Sequence, residues 1–562
     1  MSSGDRKDDS KPASRPIVRQ RRVEIEVETI RARPASQPAP AREVPREVPP
    51  TAPPPSPRRR VILEQPTPSG SAPPPPSTNR TGRPGDTARP PRAGGGGDFK
   101  RPFRRGGVQL PPTARNIAAD VVARVERDGA FAAAVLDHEL KRAVQLSPRD
   151  RALATELLYG TLRLKPLLEK AVEAVTPRGI QALDPRTRAL LLVAAYQIHY
   201  TRIPAFAAVS EAVEAVRATK GRAVGGFANG ALRQLAAGAE TAPLPRPPLA
   251  YKEATAPWLR RALERSIGED ATDSLLTAGP VPPPINLRVR NGGAGVEATR
   301  DAWIPKLREA VPNAKIEPAE YAPGAIRVRG AGDPHALPGY AEGAWTIQEE
   351  GSQLVGHLLG VRPGEVVLDA CAGRGNKSSL LAEALESDDG RFLGRIDVAD
   401  VHPEKLSRLE LEFARLKLPT ANTFGVDWAV GIGDVPRDTY DRVLVDAPCS
   451  GTGTIRRRPE IQTRRQAVDL IELANTQVAI LTNAADVVRP GGRLVYAVCS
   501  VLRDESEAVV ARVLEGRKDL ESVPFDTALA TRLFHEGATS GRILTHLHGT
   551  DSYFVASLRR RA

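Results

Sequence analysis

The chain has 562 residues, 41% of them hydrophobic, which is more than one ordinary domain holds and enough for several packed cores. Its three cysteines, Cys371, Cys449 and Cys499, are too few for a disulfide framework and fit a reducing compartment. The net charge of +13 is concentrated in residues 1–107, where 22 Lys+Arg face 11 Asp+Glu, so it describes that segment rather than the rest of the chain.

Residues 1–107 also carry 22 of the 52 prolines and the runs Pro73–Pro76 and Gly94–Gly97. Such a segment buries too little apolar area to offset its ordering entropy, which predicts a disordered tail. Two readings stand for it: a basic arm that grasps RNA through salt-sensitive phosphate contacts, or a solubilising extension. The N-terminus lacks the apolar core of a signal peptide. The longest apolar run, Ala189–Ile198, falls short of the about 20 residues that span a bilayer. A soluble, cytoplasmic protein without a membrane partner is expected.

From 113 to 240 the chain is Ala/Leu-rich. Apolar residues recur three and four apart between Ile117 and Val135, as on one buried helix face. Ser147-Pro148 and Asp184-Pro185 read as helix starts, with the polar residue as cap and proline in the first turn. A bundle of five or six helices is predicted. The residues Asp150–Gly160, the pair Ile203-Pro204 before a helix, and Phe227–Arg233 make this stretch resemble the NusB domain, although Gly230 stands where that family has alanine. The resemblance implies RNA binding.

Between 250 and 342 the pattern is weaker. Pro257-Trp258-Leu259 opens a helical stretch, and Ile285–Asn291 and Ala325–Arg329 alternate apolar and polar residues as strands do. A small α+β module is expected.

From 343 to 562 strands alternate with helices, which predicts a mostly parallel sheet covered on both faces. The run Val366–Asp369 leads into Cys371-Ala372-Gly373-Arg374-Gly375-Asn376-Lys377 and then a helix. Glycines there allow tight turning and close approach to a ligand, and the helix N-terminus offers free N–H groups. The turn alone does not distinguish a nicotinamide dinucleotide from S-adenosylmethionine. Asp400 ends the next strand 25 residues after Gly375, near the about 20 expected for an acid that binds ribose hydroxyls. Asp427 follows a third strand, Asp446 ends a fourth (Tyr440–Asp446), and Cys499 ends a fifth (Gly492–Cys499) after the turn Arg489–Gly492. Ligands of such sheets bind at the carboxyl ends of the strands.

Cys449 lies in the loop Asp446–Gly453, which Pro448 stiffens, while Gly451 and Gly453 keep its backbone close to a ligand. If the strands before Cys449 and Cys499 are neighbours, both thiols face one cleft. Cys371 reads as a small buried side chain. Zinc is disfavoured, because neither thiol has a CxxC partner or a histidine at ligand spacing, and no metal is expected.

Residues 343–562 resemble the RsmB/Nop2/Sun (Fmu, NSUN) family of RNA cytosine-5 methyltransferases. The resemblance rests on Asp369–Ser378, Asp446–Ile455, Gly491–Ser500 followed by Glu505, Gln348–Gln353 and Gly549–Ala556. With the NusB-like bundle in front, the arrangement is similar to the bacterial RsmB branch. It implies a multidomain chain: disordered tail, all-α NusB-like bundle, small α+β RNA-recognition-like module and Rossmann-like methyltransferase domain. It also implies S-adenosylmethionine as cofactor, held by Cys371–Lys377, Asp400, Asp427 and Asp446, and RNA as partner, 16S ribosomal RNA first and tRNA second, for a monomeric enzyme. By the family pattern Cys499 attacks C6 of the cytosine, Cys449 assists release, and Asp446 holds the base. Lys377 is a candidate charge partner in the site, or a solvated lysine at a helix start.

The sequence departs from the family at Arg374 (usually proline), Asn376 (glycine), Val498 (threonine) and Ser552-Tyr553 (Gly-Phe). Asn tolerates positive φ, so the turn is expected to survive. Two other classes remain open: an RNA-binding factor whose methyltransferase domain has decayed, and a nicotinamide-dependent enzyme on the same fold.

Overall fold

The computed structural model describes residues 111–291 and 295–562, and the tail read at 1–107 lies outside them. Six helices, α1 (Ala114–Asp128), α2 (Ala132–Arg142), α3 (Pro148–Glu173), α4 (Pro185–Tyr200), α5 (Ala205–Lys220) and α6 (Arg222–Thr241), form the bundle. Its start signals act as their chemistry dictates. Ser147 Oγ accepts the Asp150 N–H at 3.1 Å and Asp184 Oδ1 accepts that of Thr187 at 3.3 Å, with Pro148 and Pro185 in the first turns. Side chains including Val121, Leu157, Leu191 and Leu232 are buried together, each worth about 1.5–3 kcal/mol of transfer free energy.

The stretch expected as one α+β module over 250–342 is divided. Helices α7 (Leu249–Ala254), α8 (Pro257–Ile267) and α9 (Glu269–Ala278) bury Tyr251, Leu259, Leu263 and Leu276 in the bundle core. The module proper is a four-stranded antiparallel sheet of order β2-β3-β1-β4, built from β1 (Ile285–Val289), β2 (Lys315–Pro318), β3 (Ala325–Arg329) and β4 (Trp345–Ile347), with α10 (Val296–Ala310) against it. Its fourth strand comes from beyond residue 342, because Trp345 fills the core that Leu287, Leu307 and Ile326 surround.

After α11 (Glu350–Leu358), the chain builds β5 (Val366–Asp369), α12 (Asn376–Glu383), β6 (Arg395–Asp400), α13 (Pro403–Arg415), β7 (Asn422–Gly425) and β8 (Tyr440–Asp446). A short α14 (Ile461–Arg464) and α15 (Asp469–Ala484) precede β9 (Val488–Val498), α16 (Glu507–Gly516), β10 (Leu520–Ser522), β11 (Ser540–Ile543) and β12 (Tyr553–Arg560). The sheet order is β10-β12-β9-β8-β5-β6-β7, with β11 on β12. The core pairs β5–β6, β5–β8, β6–β7 and β8–β9 are parallel, while β12 runs antiparallel to β9, β10 and β11. The turn expected at Arg489–Gly492 lies inside β9, where a register shift against Tyr440–Arg442 absorbs it. Leu444, Val495 and Val555 face one apolar layer, and Val443, Tyr496 and Phe554 the other. Among the described residues no helix is long and apolar enough to cross a membrane.

Candidate active site

The sheet grows outward from β5 through β6 to β7, then returns to place β8 on the other side of β5. That reversal leaves a crevice at the carboxyl ends of β5 and β8, where open α/β sheets bind their ligands. Asp369 ends β5 and Asp446 ends β8.

The loop between β5 and α12 is drawn toward β6. Asp400 accepts N–H bonds from Gly373 at 2.9 Å and His402 at 2.8 Å, and Lys405 Nζ lies 3.2 Å away. The positive φ values fall on Gly373 (+58°) and Gly375 (+83°), whereas Asn376 begins the helix. The turn therefore does not rely on tolerance of positive φ at Asn376. A Cβ on Gly375 would also stand 2.6 Å from Leu409. Arg374 and Asn376 are exposed, as is Asp427, whose Oδ1 accepts the Ala429 N–H at 3.0 Å. Cys371 packs beside the apolar layer, where burial, reinforced by Asp369 and Asp446, pushes its thiol pKa well up.

Asp369 accepts the Ser378 hydroxyl at 2.7 Å, and its other oxygen is buried and has no hydrogen-bond partner among the described residues. Burial raises its pKa to about 6, against the help of Ser378. Lys377 crosses to β8: its Nζ lies 2.6 Å from Asp446 Oδ2 and 5.5 Å from the centre of the Tyr553 ring. Burial works against the ammonium, but Asp446, Cys499 and Asp369 hold its pKa above the usual lysine value.

Because β8 and β9 are neighbours, the loops leaving them meet. Cys449 Sγ and Cys499 Sγ are 3.3 Å apart, both half-buried. The contact with Cys499, burial, and the acids Glu505 and Asp446 push the Cys449 thiol well above its ordinary pKa. Cys449 therefore keeps its proton and is suited to donate S–H to Cys499. Among the described residues, no group of three or more His, Cys, Asp or Glu is placed to hold a metal ion.

Two buried acids clamp these loops. Glu505 accepts the Ser450 N–H at 2.7 Å, the Ser450 hydroxyl at 2.5 Å and Gln477 Nε2 at 3.1 Å. Asp551 lies 3.4 Å from Arg456 and 2.8 Å from Arg457, and Arg457 donates onward to Pro284 O, just before β1, at 2.8 Å. Between them Gly453 donates to Cys499 O at 3.0 Å and accepts from Ser552 N at 2.9 Å.

A family profile described as 16S rRNA methyltransferase RsmB/F matches residues 357–559, and the NusB family profile matches 112–237. A probable ribosomal RNA small subunit methyltransferase B of Synechocystis sp. is 30% identical over 456 residues, covering 80% of this chain and 99% of its own. The chain belongs to the RsmB/F methyltransferase family. A ribosomal RNA small subunit methyltransferase B of Salmonella arizonae is 33% identical over 412 residues, 72% of this chain and 90% of that one. The solved structure of PH0851 shares the fold with a TM-score of 0.67 at 23% identity, covering 81% of this chain and all of that one (100%).

As an RsmB/F methyltransferase the protein uses S-adenosylmethionine, and the crevice fits it. The site offers the acids Asp369, Asp400 and Asp446 at strand ends and first-turn N–H groups of α12 that have no intrahelical partner. It also has open space where a Cβ of Gly373 would stand and an unsatisfied buried oxygen on Asp369.

Within this RsmB/F site, Lys377, Asp446, Cys449 and Cys499 come together, Asp369 and Asp400 flank the glycine loop, and Asp427 stands at the outer strand β7 without a link to the thiols. Sequence reasoning missed the clamping role of Glu505, the Tyr553 wall and the Asp551–Arg456–Arg457 network. Glu505 sat in a matched motif and was open to question; Gln477, in the middle of α15, carried no signal.

Proposed function

We propose that the protein transfers a methyl group to C5 of a cytosine in 16S ribosomal RNA through a covalent bond between Cys499 and C6. The observation that carries this reading is the 3.3 Å contact of Cys449 and Cys499 beside the Lys377–Asp446 pair. C5 of cytosine is a poor nucleophile. Addition of a thiolate at C6 makes C5 electron-rich, splitting one hard step into easier ones. Lys377 stabilises negative charge at Cys499. Among the described residues Asp446 bonds through Oδ2 alone, to Lys377, which leaves Oδ1 available to the Watson–Crick edge of the base. In release, water entering the crevice takes the C5 proton, the electron pair of that bond re-forms the C5–C6 double bond, and Cys499 leaves C6 as a thiolate that the protonated Cys449 stabilises by donating S–H.

Bound S-adenosylmethionine supplies the electrophilic methyl group. Cys371–Lys377, Asp400, Asp427 and Asp446 would hold it. The target base is unstacked or single-stranded when it enters. The names of the relatives favour small-subunit ribosomal RNA, and the NusB-like bundle agrees with an RNA substrate. Intact Asp400, Asp446, Cys449 and Cys499 argue against a decayed enzyme.

Bisulfite sequencing of ribosomal and transfer RNA with and without the gene tests the proposal. One 16S cytosine should lose its signal without the gene. Loss in tRNA instead would move the substrate, and an unchanged map in both would overturn the cytosine-5 reading.

A further inference from the structure

The loop that follows Cys449 does more than close the catalytic crevice: it builds a seam with the helical bundle. Ile455, Ile461 and Leu470 are buried in the core of that bundle. Glu460 Oε1 accepts the Ala132 N–H at 3.2 Å, at the start of α2. The Arg163 guanidinium donates to Arg456 O at 3.2 Å, and Gln462 Nε2 donates to Arg163 O at 3.2 Å. These bonds hold the outer surface of the seam in one arrangement.

On that surface Phe131 is 52% exposed. Arg464 lies over its ring at 4.6 Å and Arg458 at 5.8 Å. Both arginines are exposed, and among the described residues neither has a carboxylate within ion-pair distance. Glu460, which feels both cations, is buried and bonded to Ala132. Arg464 also lines a cavity of about 400 Å³ with Gly129 and Thr463, where Glu126 and Glu169 are ion-paired to Lys165 and Arg188.

An exposed aromatic ring under two unpaired guanidinium groups is the chemistry of single-stranded nucleic acid binding. Bases stack on rings and guanidinium planes, and phosphates pair with arginine. Arg458 and Arg464 lie nine and fifteen residues after Cys449, on the segment that leaves the cysteine loop and ends in α14. We infer that Phe131, Arg458 and Arg464 form a binding site for single-stranded RNA, made jointly by the helical bundle and the catalytic domain. The inference rests on the reading of the protein as an RNA methyltransferase, and it adds where the strand is gripped.

The test uses the full chain with two probes, deproteinised 16S ribosomal RNA and poly(U). The double variant Arg458→Gln/Arg464→Gln should weaken binding of both and lower the slope of log affinity against log salt by about 1.4–1.8, two phosphate contacts at about 0.7–0.9 each. Phe131→Ala should cost about fivefold to a hundredfold, the loss of about one stacked base, and Phe131→Tyr should restore it. S-adenosylmethionine affinity, read by calorimetry, should not change. Wild-type affinity and salt slope in the double variant would overturn the inference. If the variants fail to fold, the wild-type protein cross-linked to 4-thiouridine-containing RNA decides: adducts on the peptides around 131 or 458–464 support the site, and adducts only elsewhere overturn it. RNA binding lost in the variants, with an unchanged bisulfite map on gene deletion, would sink the methylation reading alone. Methylation in cells with wild-type RNA affinity in the variants would sink this inference alone.

Discussion

Cys449 Sγ lies 3.3 Å from Cys499 Sγ across a gap of fifty residues in the chain. The sulfurs are within hydrogen-bonding reach, and the contact, burial and nearby acids raise the Cys449 pKa, which keeps that thiol protonated. A protonated thiol beside an attacking one divides their labour. Cys499→Ala should abolish the RNA adduct. Cys449→Ala should let it accumulate as a gel-shifted species that survives denaturation. Adduct accumulation in the Cys499 variant instead would mean the roles are reversed.

The Lys377 ammonium feels the charge of Cys499, is bonded to Asp446 and lies over the Tyr553 ring. Lys377→Met should lower kcat about a hundredfold, within the range for loss of one electrostatic partner in a closed site. The acid limb of the rate profile should move to higher pH, because negative charge at the thiols loses its counter-ion. An unchanged pH profile would make Lys377 a structural residue only.

Asp369 titrates at about 6 in the folded protein against an ordinary 3.8. A raised folded pKa means the native state binds the proton more tightly than the unfolded chain. Its contribution is favourable at low pH and is lost as pH rises from about 4 through 6. Asp369→Asn lacks this titration. Its stability relative to wild type should therefore rise by about 3 kcal/mol between about pH 4 and pH 7, whatever the constant offset from the altered Ser378 bond. Urea denaturation at several pH values reads the difference, and a flat difference would refute the assignment.

At Gly453 a Cβ would stand 2.0 Å from Ser552 O and 3.0 Å from Cys499 O, both backbone atoms. Gly453→Ala must push the terminal segment from the cysteine loops. We expect a loss of thermal stability of about 1–3 kcal/mol, typical of overpacking, together with slower turnover. Gly491→Ala has a positive φ (+78°) but meets only the Arg489 side chain at 3.7 Å; it should leave turnover unchanged.

Much of the fold was legible because its signals are local. Ser147-Pro148 and Asp184-Pro185 act on N–H groups three residues away, and the strand ending at Asp446 needs only its apolar run. The α7–α9 segment was misplaced because amphipathic helices show that a face is buried, not against which neighbour; Tyr251 and Leu259 found the bundle. Asn376 was assigned a turn role that Gly373 and Gly375 carry, since φ at one position depends on the turn as a whole.

The sequence by itself determined the inventory of the candidate site: two thiols, the acids Asp369, Asp400 and Asp446, and a glycine loop, each at the end of a strand. Those positions follow from residue type and short-range pattern. Only the tertiary structure decided which groups touch. The pairing of β8 with β9 set Cys449 against Cys499, and the pairing of β5 with β8 put Lys377 on Asp446. The folding of the Cys449 loop onto the bundle set Arg464 over Phe131. Such contacts join residues tens to hundreds of positions apart. They arise from the order of strands and the burial of apolar faces, which no local window of sequence contains.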